Sequence, residues 1–150
     1  MIKKDEKAPN FTLKDQNGKD IQLSDFKGKK VLLSFHPLAW TGVCAKQMQS
    51  LEKNRDKFKK LNTVALGVSV DTVPSKAAWA KSLNIKSTKL LSDFWPHGEV
   101  AKKYGIFGKS QGFSLRVNII IDEKGKVRFV KKYPISKLPD IKEIIGELSK

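Results

Sequence analysis

Short apolar runs alternate along this chain with stretches whose apolar residues recur at helical spacing, and that alternation limits the available folds more than any other feature. Val31-Leu-Leu-Ser-Phe35 reads as a buried strand that stops at Pro37, which has no N–H to offer a sheet. From Gly42 to about Leu61, Met48, Leu51, Phe58 and Leu61 fall on one face with Lys, Glu, Asn and Asp between them, which predicts a helix. The exchange repeats: a strand over 64–70, a helix from about 75 to 83, a short strand over 89–91 and a helix near 99–104. Runs 117–121 and 127–130 face each other across Glu123-Lys124-Gly125, so they are expected to pair antiparallel, and a helix over 140–148 follows. Upstream, Phe11-Thr-Leu13 and Ile21-Gln-Leu23 flank Asn17-Gly18 as an N-terminal β-hairpin. The expected architecture is α/β, a mixed central sheet flanked by helices in a single domain over 1–150. With 39% hydrophobic residues in 150, the chain can bury a core without disulfides or metals.

Cys44, the only cysteine, sits where the first apolar strand gives way to a helix. Thr41 is the natural N-cap there, making Gly42, Val43 and Cys44 the first helical positions. Amides in that turn lack intrahelical partners, and with the helix dipole they favour an anion at the Cys44 sulfur. A thiolate is a nucleophile that peroxide converts to a sulfenic acid. Thr41 offers a hydroxyl to the sulfur or to a bound peroxide, Pro37 screens one side from water, and a cation should complete the site. Arg116 is the candidate, because the chain uses Lys 27 times and Arg only three times, and a rigid fork of donors is what Arg supplies and Lys does not. Its strand alternates so that Arg116 faces away from Leu115, Val117 and Ile119. Each residue also has a plainer reading: Cys44 as a buried hydrophobe, Thr41 as a cap, Pro37 as a strand terminator, Arg116 as a surface strand residue. His36 and His97 read as structural or solvent-facing, and with one cysteine they give no metal-ligand spacing.

Pro37, Thr41 and Cys44 match the Pro-x-x-x-Thr/Ser-x-x-Cys signature, and the chain resembles the peroxiredoxins nearly end to end. The likeness takes in Ala8-Pro9-Asn10-Phe11-Thr12-Leu13, Leu23-Ser24-Asp25-Phe26 and Tyr104-Gly105. Ser92-Asp93-Phe94-Trp95-Pro96-His97-Gly98 is most similar to the single-cysteine alkyl hydroperoxide reductase E group. The resemblance implies a thioredoxin-like fold and thiol-dependent reduction of hydrogen peroxide, alkyl hydroperoxides or peroxynitrite at Cys44, without a cofactor. It also implies that Arg116 is the active-site arginine and that the chain forms a homodimer near the site, with Phe94, Trp95 and Phe107 as candidate contacts. Two positions depart from the pattern. Gln47 stands where many members have Glu, and Arg128 matches a second arginine that usually engages that acid. No resolving cysteine exists, at Gln49 or elsewhere, so the oxidised enzyme would need an external thiol.

A net charge of +15 raises a rival class, a nucleic-acid or acidic-surface binder. The excess is nearly all Lys, interleaved with Asp and Glu, without an Arg-rich block or a basic-aromatic stacking run, so specific nucleic-acid binding is not expected. A thioredoxin-type thiol carrier is a second rival, but it needs Cys-x-x-Cys, and the position three after Cys44 is Gln47. A single cysteine, no apolar leader in residues 1–7 and no membrane-length apolar run lead to the expectation of a cytoplasmic protein.

Overall fold

Each apolar run takes its place in one seven-stranded sheet. The computed structural model describes residues 1–150. Strands β1 (Thr12–Lys14) and β2 (Asp20–Gln22) form the expected N-terminal hairpin, and a 3-10 turn (Leu23–Phe26) leads to β3 (Lys30–Phe35). Helices α1 (Gly42–Lys53) and α2 (Arg55–Lys60), strand β4 (Thr63–Ser69), helix α3 (Val73–Ser82), strand β5 (Lys89–Ser92) and helix α4 (Glu99–Lys103) follow. A small ribbon of β6 (Phe107–Gly108) and β7 (Phe113–Ser114) precedes β8 (Arg116–Ile121), β9 (Val127–Tyr133) and α5 (Ile141–Leu148). The sheet order is β2-β1-β5-β4-β3-β8-β9; β3, β4 and β5 run parallel, and β1, β2, β8 and β9 pair antiparallel. The hairpin is therefore part of the main sheet, joined at Lys14–Ser92.

Side chains of β3 and β8 alternate between two cores because successive residues point to opposite faces. Val31, Leu33 and Phe35 join Val117, Ile119, Ile121 and the Val100, Ala101 and Tyr104 side of α4. On the other face Leu32 and Ile120 pack under Met48 and Leu51 of α1, Phe58 of α2, Trp79 of α3, and Ile144 and Leu148 of α5. Each large apolar side chain withdrawn from water in this way contributes about 1.5–3 kcal/mol. That leaves Ser34, Gly67, Asn118 and Arg116 on the α1 face, close to the carboxyl end of β3. Gly67 is what lets α1 lie so near the sheet: a Cβ there would sit 2.3 Å from the Met48 Sδ.

The helix expected over 42–61 is two helices. They divide at Asn54, whose side-chain Nδ2 donates to the Ser50 carbonyl at 2.7 Å while its own amide is shared between Ser50 and Leu51. A side chain that competes for backbone acceptors interrupts a helix even where the apolar spacing continues. The β6–β7 ribbon, two residues per strand, is too short to leave a periodic signal.

Candidate active site

At the carboxyl end of β3 the His36 amide donates to the Val68 carbonyl at 3.0 Å, the last rung of the β3–β4 ladder. Pro37, buried and without an N–H, ends the pairing, and the chain turns out toward α1. The turn is fastened on both sides. The Ala39 amide donates to Asp71 Oδ2 at 2.8 Å, the Trp40 indole to Ser75 Oγ at 3.0 Å and the Thr41 hydroxyl to the Leu38 carbonyl at 2.8 Å. Trp40 itself is held at φ 68°, a left-handed conformation that bulky residues rarely adopt unaided.

Thr41 occupies the N-cap position, as expected, but its hydroxyl caps nothing; its proton is used on Leu38. The Ala45 amide returns to the Thr41 carbonyl at 2.9 Å, and the amides of Gly42, Val43 and Cys44 donate to no group in the protein. These unpaired N–H groups mark the positive end of α1, in whose first turn Cys44 stands. Cys44 is a free thiol only 1% exposed, whereas Thr41 and Gly42 beside it are open to solvent.

The β3–β8 register pairs Phe35 with Val117, so Arg116 lies one step further, beside the start of the turn. It is 2% exposed, not a surface strand residue. Its Nη1 donates to Cys44 Sγ at 3.4 Å and to Gln47 Oε1 at 2.6 Å. Nε and Nη2 both donate to the Ile135 carbonyl, at 3.2 and 2.8 Å. One face of the guanidinium fork is thus locked to the backbone while the other presents a proton to the sulfur. Gln47, one helical turn after Cys44, completes the support: its Nε2 donates to Ser34 Oγ at 2.7 Å and to the Phe35 carbonyl at 3.3 Å. Ser34 in turn donates to Asn118 Oδ1 at 2.7 Å. A neutral amide therefore does here what the expected acid would do for the arginine, and donates to Ser34 as well, which a carboxylate cannot. Arg128 is not part of this arrangement. Its guanidinium donates to the Lys150 carbonyl, at the far end of α5 from Cys44, so the expected Arg128–Gln47 contact is absent.

Comparison with known proteins places the chain in a family. Residues 5–130 match the model of the AhpC/TSA family. The chain belongs to the AhpC/TSA family. Alkyl hydroperoxide reductase E of Mycobacterium bovis is 39% identical over 125 residues, 83% of this chain and 81% of that protein. A peroxiredoxin of Aquifex aeolicus is 36% identical over 147 residues, 93% of this chain and 65% of its own length. Among solved structures, the reduced 2-Cys peroxiredoxin of Plasmodium vivax superposes with a TM-score of 0.89 at 28% identity, covering 99% of this chain and 81% of that one. Peroxidoxin BcpB of Mycobacterium tuberculosis gives 0.86 at 25%, covering 99% and 97%. The thioredoxin-like α/β fold read from the sequence is the fold of this peroxiredoxin.

Sequence reasoning missed what lies beneath the turn. His36 is fully buried, with Nδ1 3.3 Å from the Ser34 carbonyl and Nε2 3.2 Å from the Nζ of Lys76, itself 0% exposed. Burial holds His36 well below its ordinary value, and the positive charges of Lys76 and Arg116 push the same way. The ring is neutral: Nδ1–H donates to Ser34, and Nε2 accepts from Lys76. No sequence signal separates Lys76 from the other lysines, since α3 shows little apolar periodicity around it. His97, by contrast, sits in a loop contact with the Gly112 carbonyl at 2.6 Å.

Proposed function

We propose that this peroxiredoxin is a single-cysteine, thiol-dependent peroxidase that reduces hydroperoxides through a Cys44 sulfenic acid. The observation that carries this reading is an arginine nitrogen 3.4 Å from the one sulfur, in the first turn of a helix whose amides are free to donate. Cys44 thiolate attacks the terminal oxygen of R′O–OH. An S–O bond forms, the O–O bond breaks, and the electron pair leaves with R′O⁻, which takes a proton from solvent to give the alcohol. Arg116 and the Cys44 amide stabilise charge as it moves from sulfur to the leaving oxygen. Because the Thr41 proton is committed to Leu38, Thr41 Oγ1 acts as an acceptor and orients the peroxide by receiving its O–H. Pro37 keeps water from the sulfur side, and Gln47 fixes Arg116.

Recycling uses two equivalents of an external thiol. The first displaces water from the sulfenic acid to give a mixed disulfide; the second displaces the first and restores Cys44. The chain holds no second cysteine for an internal route. A thioredoxin- or glutaredoxin-like protein or a low-molecular-weight thiol supplies the electrons, and a single thiol of this kind suits a reducing, cytoplasmic setting. Phe94 and Trp95, exposed beyond β5, support a homodimer through that face, with Phe107 half-buried behind them. A coupled assay tests the function: with a dithiol reductant present, the protein should consume hydrogen peroxide and an alkyl hydroperoxide, and Cys44→Ser should consume neither. Equal consumption by Cys44→Ser would overturn the assignment.

A further inference from the structure

Arg116 is a buried cation with no carboxylate partner. It is 2% exposed, it takes part in no salt bridge, and two of the three groups that its guanidinium meets, the Ile135 carbonyl and Gln47 Oε1, are neutral. The third, Cys44 Sγ at 3.4 Å, is the one contact able to carry a negative charge. A buried guanidinium is held strongly by an anion and weakly by an amide, so the neutrality of Gln47 decides where the charge of Arg116 acts. Neutrality alone is not enough. A primary amide has an acceptor end and a donor end, and with the two exchanged Gln47 Nε2 would confront the Arg116 Nη1 donor, which now lies 2.6 Å from Oε1.

What aims the amide lies on β3 and β8. Ser34 Oγ stands between Gln47 Nε2 and Asn118 Oδ1, 2.7 Å from each, and its single proton goes to Asn118. The Ser34 oxygen can then only accept from Gln47, which turns Nε2 inward and Oε1 toward Arg116; the Phe35 carbonyl, 3.3 Å from Nε2, takes the same end. The β3–β8 register sets Ser34 directly opposite Asn118. Ser34, Gln47, Asn118 and Arg116 are each between 1% and 3% exposed, so bulk water does not compete for these groups. We propose that Ser34 and Asn118 are positioning residues of the peroxidatic site, which lock the Gln47 amide with its oxygen on Arg116 and so leave the undivided charge of the guanidinium to the Cys44 sulfur. The proposal rests on the reading that Cys44 acts as a thiolate. A glutamate at position 47 would draw part of that charge to itself and would compete for the Ser34 proton that Asn118 now takes. Gln47, Ser34 and Asn118 therefore act as one unit, with donation running from Arg116 to Gln47, to Ser34, to Asn118.

The test uses no peroxide, so it can fail independently of the peroxidase assignment. The rate of Cys44 alkylation by iodoacetamide, followed against pH, reports the thiolate. Asn118→Leu removes the acceptor of the Ser34 proton, which leaves Ser34 free to donate to Gln47 Oε1 and lets the amide reverse. The midpoint should move upward by about one pH unit, with alkylation on the acid side about ten-fold slower. Gln47→Glu should raise the midpoint by about as much, through the added carboxylate. In that background the Ser34 proton suits the carboxylate, so adding Asn118→Leu to Gln47→Glu should give no further upward shift, whereas a mere packing defect would add its effect in either background. An Asn118→Leu profile superimposable on that of the unsubstituted protein would overturn the proposal, and so would additive shifts in the double variant. Ser34→Ala, which removes only the hydroxyl, serves where Asn118→Leu fails to fold: the midpoint should rise by about half a unit, and an unchanged midpoint would overturn the proposal equally. A midpoint at the free-thiol value of about 8.5 in the unsubstituted protein would remove the thiolate reading and the proposal with it.

Discussion

Replacing Lys76 by Met should change how stability depends on pH, and the size of the change follows from the burial. In the folded protein Lys76 loses its proton at about 7, against an ordinary lysine value of 10.5. Between these values the unfolded chain holds a proton that the folded one has shed, so the folded state gains stability as pH rises through the window. Each unit of separation corresponds to about 1.4 kcal/mol, which makes the burden of the buried ammonium roughly 5 kcal/mol below pH 6 and about 2 kcal/mol at pH 9. The protein should therefore gain about 2 kcal/mol between pH 7 and pH 9 relative to Lys76→Met. Met fills similar space without a charge, but it leaves His36 Nε2 without its donor, a loss of about 1–3 kcal/mol. That loss is constant over the window because His36 remains neutral throughout it. Urea unfolding at pH 7, 8 and 9, followed by tryptophan fluorescence, separates the constant term from the pH-dependent one. If the two proteins gain stability in parallel from pH 7 to pH 9, Lys76 does not change protonation there and the argument from burial is wrong.

Arg116→Met should cut the peroxide rate about 100-fold and slow Cys44 alkylation at neutral pH, because it removes the donor 3.4 Å from the sulfur; stopped-flow and alkylation assays read the two effects. Gly67→Ala should lower stability by about 1–3 kcal/mol in thermal melts, since the new Cβ meets the Met48 Sδ at 2.3 Å and pushes α1 from the sheet. At Glu52 partial burial favours the neutral acid, but hydrogen bonds from the Lys86 and Thr88 amides, the Thr88 hydroxyl and the Ser87 amide outweigh it and bring the group to about 2 from 4.5. The stability this provides is complete above pH 4.5 and lost as pH falls toward 2; acid titration of Glu52→Gln should lack that component, about 1 kcal/mol after allowance for solvent screening.

The sequence carried the elements of the fold because its strands and helices obey their periods, and it carried Cys44 because a strand stop and a helix start bracket it. Arg116 was legible through scarcity: one of three arginines, at the edge of an apolar strand. What escaped has a common cause. Whether a side chain is buried depends on which elements cover it, so Lys76 reads as one more lysine of a basic surface until α3 is seen lying over His36. The same holds for Arg128, whose neighbours are set by the end of α5, and for the Thr41 hydroxyl, whose direction depends on the Leu38 carbonyl across the turn. Asn54 divides a helix through one side-chain bond that no hydrophobic pattern records.

The central claim is that Cys44 is oxidised by peroxide in a single fast step. Stopped-flow tryptophan fluorescence of the reduced protein mixed with hydrogen peroxide, with intact and peptide mass spectrometry of the quenched product, measures it directly. The account predicts a peroxide-dependent phase and the gain of one oxygen at Cys44, both absent in Cys44→Ser. No phase with any hydroperoxide, or oxygen found only on Met1 or Met48, would contradict it.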